Sequence, residues 1–142
     1  MKYDDASWHY ESTPAGSKTD RWAVAAAHIG IYLKWCMERG WAGEIHTNSE
    51  ASGILELLLA GKLTGSEFLL QECDGKFTDE DLNAEGNRFT ASYFENQYAD
   101  DLESVVGNAI LSLHEKKYDY PSIKRLLDQR YTEWLSSSGS SG

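Results

Sequence analysis

The chain has 142 residues, enough for one domain that buries about 68–70% of its unfolded surface. Leu and Ala far outnumber Val and Ile, which favours helices over sheet. Its formal charge of −10, from 13 basic and 23 acidic side chains, argues against a nucleic-acid backbone as partner, because that affinity comes from Lys and Arg displacing counterions.

No stretch reads as a membrane span or a leader. The apolar run 22–33 falls short of the about 20 residues a bilayer needs. Met1 leads into KYDDASWHY, which lacks the apolar core of a secretory signal. Cys36 and Cys73 are isolated, each within a helical pattern, so both are expected as reduced thiols in a cytoplasmic protein.

In chain order, residues 1–19 carry Tyr3, Trp8 and Tyr10 among polar neighbours. They read as an irregular arm whose aromatics pack on the body, followed by a turn at 13–17. The stretch 20–39, DRWAVAAAHIGIYLKWCMER, is apolar nearly all round, and only Asp20, Ala27, Lys34 and Glu38 form a line suited to water. Such a helix must be covered by other elements, which predicts an all-α, single-domain helical bundle built around it. Asp20 is its expected N-cap and Gly40 its stop.

After a loop or single turn at 41–46, Asn48 or Ser49 can cap a second helix, with Ile54, Leu55, Leu57, Leu58 and Leu59 as a wide apolar face and Gly61 at its end. Two matched start signals follow, Leu63-Thr64-Gly65-Ser66-Glu67-Phe68 and Phe77-Thr78-Asp79-Glu80-Asp81-Leu82. In each, Thr is the N-cap, an acid stands three residues on, and apolar residues flank, which predicts helices from Thr64 and Thr78. Ala91, Phe94, Tyr98, Leu102 and Val105 carry a helical pattern through 84–106, with a break expected at Asp100-Asp101. The segment 107–120 is weakly patterned, with 109–113 extended. Pro121 then opens a last helix with one apolar stripe, Ile123, Leu126, Leu127, Tyr131, Trp134 and Leu135. SSSGSSG at 136–142 reads as a flexible tail or a cloning remnant, leaving one domain at 1–135.

Local motifs assign no chemistry. The four histidines, His9, His28, His46 and His114, form no HExxH, and no CxxC, P-loop, GxGxxG or GxSxG exists. No catalytic residue, cofactor or metal ligand is therefore assigned. His28 lies among Val24, Ile31, Tyr32 and Trp35 on the central helix and is expected as a satisfied core histidine. Carboxylates are too many to pair: any two of Asp4, Asp5, Glu11, Asp79, Glu80 and Asp81 could meet across a cleft. The clearest charge feature is the segment 74–103, with nine acidic residues against Lys76 and Arg88. Within it Asp79, Glu80, Asp81, Asp100, Asp101 and Glu103 are the expected contacts to a basic partner.

Lys2-Tyr3-Asp4-Asp5-Ala6-Ser7-Trp8-His9-Tyr10 resembles the start of an uncharacterised bacterial family, a domain of unknown function. The resemblance continues through His28-Ile29-Gly30-Ile31-Tyr32-Leu33-Lys34-Trp35, Glu38-Arg39-Gly40 and Phe68-Leu69-Leu70. It resumes at Cys73-Asp74-Gly75-Lys76-Phe77, Glu80-Asp81-Leu82-Asn83 and Glu85-Gly86-Asn87, covering nearly the whole chain to about 135. It implies no catalytic residue. What it implies about function is the role of small bacterial immunity or accessory proteins beside toxin genes.

Two readings stay open. One is a small acidic cytoplasmic binding protein of the immunity kind that occludes a basic protein partner, with neither nucleic acid nor membrane involved. The other is a small enzyme or ligand-binding domain with a pocket near Trp8, His9 and His28. A third candidate fails on its ligands. Aligned as a calcium loop on Gly75, the chain has Leu70 where the first carboxylate belongs and Asp81 where a bidentate Glu belongs. Millimolar calcium is accordingly expected to leave the melting temperature unchanged, and a rise of several degrees in a thermal melt would contradict this.

Overall fold

A computed structural model describes residues 1–13, 18–107 and 113–137. Its centre is α1, Lys18–Glu38. Ala25, Ala26, Ala27, Ile29, Tyr32, Leu33, Trp35 and Cys36 are wholly buried, so α1 is covered on nearly every side and Ala27 is core rather than surface. The helix starts two residues before Asp20, which is in its first turn instead of capping it. Around α1 lie α2 (Glu44–Thr47), α3 (Ser52–Leu59), α4 (Gly65–Glu72), α5 (Ala84–Tyr93), α6 (Ala99–Val106) and α7 (Tyr120–Ser137).

The closest crossing joins α1 to α4. A Cβ on Gly30 would stand 2.4 Å from the Ser66 amide nitrogen, and one on Gly65 2.0 Å from the Gly30 carbonyl oxygen. Only two glycines allow backbones to meet this closely. Thr64 caps α4 by accepting from the Glu67 amide, while the Glu67 carboxylate accepts from the Thr64 amide at 2.9 Å, the expected capping box.

The arm is more regular than its sequence suggests. Lys2–Asp5 forms β1, antiparallel to β2 (Lys76–Thr78), in a two-stranded ribbon with partners Lys2 and Thr78, Asp4 and Phe77, Asp5 and Lys76. Short 3₁₀ turns follow at Ala6–Trp8 and Tyr10–Ser12. Two of the three aromatics anchor the arm, Tyr3 packing on Phe77 at 5.0 Å and Tyr10 on Trp22 at 4.6 Å between ring centres, while Trp8 is exposed. Four residues without an apolar alternation leave no strand signal, because the pairing comes from a partner more than seventy residues away.

Three further boundaries move for tertiary reasons. The Thr78 capping box exists, with Asp81 accepting from the Thr78 amide at 2.8 Å, but it closes only a 3₁₀ turn, Asp79–Asp81. Leu82 is then extended and bridges to Ala42, so α5 begins at Ala84 under a second cap, Asn83. Asn48 accepts from the amides of Glu50 and Ala51, capping the turn that leads into α3. The interruption expected at Asp100-Asp101 occurs instead as a π-helical turn at Phe94–Tyr98. That turn sends both Phe94 and Tyr98 inward onto Tyr32, at 4.8 and 5.1 Å, and lets the Tyr98 hydroxyl donate to the His28 carbonyl.

Helix α7 closes the core, with Tyr131 against Trp41 and the Trp35 indole donating to Asp128 at 2.9 Å. It runs to Ser137, so the first residues of the expected tail are helical. The rest of that tail, and the extended stretch expected at 109–113 apart from Leu113, lie outside the described residues. Cys36 and Cys73 are both free thiols. Among the described residues no helix is long and apolar enough to cross a membrane.

Two glycine substitutions distinguish the crossing from ordinary helix surface. In urea unfolding, Gly30→Ala is expected to destabilise by about 2–4 kcal/mol, since backbone must move to admit the methyl group. Gly53→Ala, with nothing within 4 Å of its Cβ in α3, is expected to stabilise by about 0.5–1 kcal/mol. Equal effects at the two positions would contradict the crossing.

Candidate functional site

The ribbon brings Asp4 to the first group of convergent side chains. Strand β1 turns Asp4 inward, between His9 from the 3₁₀ turns and His28 from α1. His9 Nε2 lies 2.7 Å from Asp4 Oδ1 and His28 Nε2 lies 3.5 Å from Oδ2. The Asp5 amide also donates to Oδ1, at 2.8 Å. Burial alone would raise the Asp4 carboxyl, but hydrogen bonds and charge from His28 and His9 hold it well below the usual carboxylate range. Burial lowers the His28 imidazole, against the opposing pull of Asp4.

A neutral His28 must place its proton on Nε2 to donate to an ionised Asp4, which leaves Nδ1 a bare acceptor. That nitrogen is buried and has no partner. The expectation of a satisfied core histidine is thus half met, because the apolar packing of α1 offers Nδ1 no donor. Trp8 does not join the group. It is 57% exposed, with Lys2 Nζ 5.3 Å above its ring. None of Asp4, His9 and His28 lines the groove described below.

A second group was illegible in the sequence because its members are far apart. His46 from α2, Cys73 after α4 and Asp81 from the 3₁₀ turn converge: His46 Nε2 is 2.8 Å from Asp81 Oδ1, and Cys73 Sγ donates to that oxygen at 3.4 Å. The sulfur stands 3.9 Å from His46 Nε2. His46 and Asp81 are buried and Cys73 is partly exposed. Cys, His and Asp together suggest a nucleophilic triad, but the geometry does not support one. A relay needs thiol and carboxylate on opposite imidazole nitrogens, whereas here both face Nε2. Burial, then the Asp81 charge, pushes the Cys73 thiol far up, so it is a poor nucleophile.

A cavity lies elsewhere, a groove of about 920 Å³ between the arm, the start of α4 and residues 114–117. Trp22, Ala23 and Leu70 give it an apolar floor. Its carboxylates are engaged by the protein itself. Glu115 accepts from the amides of Gly65 and Ser66 at 2.9 and 2.7 Å, and Asp5 accepts from Lys2 and Ser7. Lys116 and Lys117, also lining the groove, are exposed and make no ion pair among the described residues.

The six expected partner contacts divide. Glu80, Asp100 and Glu103 are exposed, and Asp79 is exposed but paired with the N-terminal amine at 2.9 Å. Asp81 and Asp101 are not surface charges. Asp81 is committed to His46 and Thr78. Asp101 is buried, taking a two-pronged ion pair from Arg130 at 2.9 and 3.0 Å and a hydrogen bond from Tyr93 at 2.7 Å. The helical phase of α6 turns Asp101 toward α7 while its neighbour Asp100 faces water.

A family model described as a domain of unknown function (DUF7832) matches residues 2–117, a stretch that takes in both side-chain groups and the groove but not α7. No curated protein and no solved structure matches the chain.

The two neighbouring aspartates have opposite expected costs. Asp101→Asn leaves Arg130 without its buried counter-charge and is expected to cost about 2–4 kcal/mol in denaturant unfolding. Asp100→Asn is expected within about ±0.5 kcal/mol. A neutral Asp101→Asn would show that the ion pair is not buried.

Proposed function

The chain belongs to the DUF7832 family, which carries no assigned activity, and we propose from its geometry that it is a binding protein whose groove takes an amphipathic anion. The reading rests on one observation: in a protein of charge −10, a groove of ligand size presents Lys116 and Lys117, which make no ion pair among the described residues, while the carboxylates that also line it, Asp5, Glu67, Asp74 and Glu115, each accept a hydrogen bond from the protein. The floor of Trp22, Ala23 and Leu70 suits an apolar body, and Lys116 with Lys117 suits a carboxylate, sulfonate or phosphate at its end. Neither side-chain group opens on the groove, which favours binding over catalysis. We take the protein to work in the bacterial cytoplasm, where free Cys36 and Cys73 persist.

A second reading keeps the immunity-type role, occlusion of a basic protein partner. It draws on Glu95, Asp100 and Glu103, exposed carboxylates about one helical turn apart along the π turn and α6, with no ion pair among the described residues. Asp81 and Asp101 drop out of that surface.

Titration with anilinonaphthalenesulfonate, an apolar ring system carrying one sulfonate, tests the first reading. The native protein is expected to bind it saturably at one site, more weakly as salt rises. The double variant Lys116→Gln/Lys117→Gln is expected to lose about tenfold in affinity while keeping its near-ultraviolet circular dichroism. Absent saturation, or equal affinity in parent and variant, would contradict the groove. A basic protein captured by the parent and lost by Glu95→Gln/Asp100→Asn/Glu103→Gln would instead favour the second reading.

A further inference from the structure

We propose that His46, Cys73 and Asp81 form a binding site for a borderline-soft divalent cation, zinc in the first instance. One donor atom from each residue lies within 4.8 Å of the others. Their separations are 2.8, 3.4 and 3.9 Å. In tetrahedral zinc sites, with bonds of about 2.0–2.3 Å, ligand atoms stand roughly 3.3–3.6 Å apart. The carboxylate and imidazole need only part slightly, and the sulfur only close in, to reach those distances.

The donor chemistry selects the ion. A thiolate, an imidazole and a carboxylate suit zinc rather than calcium or magnesium, which take all-oxygen shells. The charges also balance, because one thiolate and one carboxylate neutralise the dication and leave no net charge buried. Binding breaks the Cys73 S–H bond, forms an S–Zn bond and releases that proton to solvent. Three protein ligands leave a fourth position for water, on the side where Cys73 is partly exposed.

The surroundings hold the donors without help from an ion. Asp81 keeps its second oxygen on the Thr78 amide at 2.8 Å. The His46 ring rests on Phe68, 4.9 Å between centres. Gly43 draws α2 onto the 3₁₀ turn: its amide donates to the Asp81 carbonyl at 2.9 Å, and a Cβ there would stand 2.3 Å from the Glu80 carbonyl oxygen. Second contacts of this kind orient the ligands of metal sites. The Asp4 group brings its three donor atoms together in the same way but has no thiol, so it can give no thiolate-to-metal band and serves as the control.

The experiment uses the full chain, reduced and stripped of metal. Zinc titrated in a calorimeter is expected to bind one ion per chain with proton release, and cobalt is expected to give a near-ultraviolet thiolate-to-metal absorption band. Cys73→Ser should abolish the band and weaken zinc by about a hundredfold or more. His9→Asn and Cys36→Ala should leave both unchanged. A parent that binds cobalt without that band, a parent that binds no zinc, or a Cys73→Ser protein with undiminished affinity would overturn the proposal. If Cys73→Ser fails to fold by circular dichroism, the presence or absence of the band in the parent and in Cys36→Ala decides.

Discussion

The backbone contact between Gly30 and Gly65 is the constraint on which the rest of the structure depends. Helix α1 has no polar face wide enough to meet water, so it is stable only where other elements cover it. Full burial contributes about 1.5–3 kcal/mol for each large apolar side chain, and Trp35, Ile29 and Leu33 all reach it. Covering α1 with α4 at backbone distance fixes where α4 begins and ends. Its start holds Glu115 and forms one wall of the groove, while its end delivers Cys73 and the turn into β2.

From β2 the consequences spread in two directions. The strand holds β1 on the surface of α1, which presses Asp4 between His9 and His28. The same segment continues into the 3₁₀ turn that carries Asp81 to His46. Both groups of polar side chains are thus by-products of wrapping one apolar helix with segments distant in sequence. Each keeps one partly exposed member, His9 in the first and Cys73 in the second, and they differ in chemistry: the Asp4 group strands one imidazole nitrogen, whereas the second carries a thiol.

Periodicity and capping carried much of the fold. The uninterrupted apolar surface of 20–39 identified the central helix, and Thr64 with Glu67 identified the start of α4, because both signals act within a few residues. What depended on partners elsewhere was not legible. Thr78 and Asp81 form the same local box as Thr64 and Glu67, yet the chain leaves it as an extended bridge to Ala42. No feature of 2–5 announces a strand, since its reason is β2. Adjacent aspartates likewise look alike in sequence, and only the packing of α6 on α7 makes Asp101 a buried ion-pair partner of Arg130. The residues at His46, Cys73 and Asp81 carried no spacing rule, and Gly30 gave no sign of being a crossing point.

Native-state hydrogen exchange on the amides of β1, β2 and α1 tests the central claim most directly, that the N-terminal strand belongs to the same cooperative unit as the buried helix. The account predicts that Ala6, whose amide donates to the Gly75 carbonyl at 2.8 Å, and Ile29 through Cys36 exchange with one common free energy, equal to that of global unfolding. Exchange at Ala6 and the β1–β2 pairs by a much cheaper local opening, with α1 still protected, would contradict it.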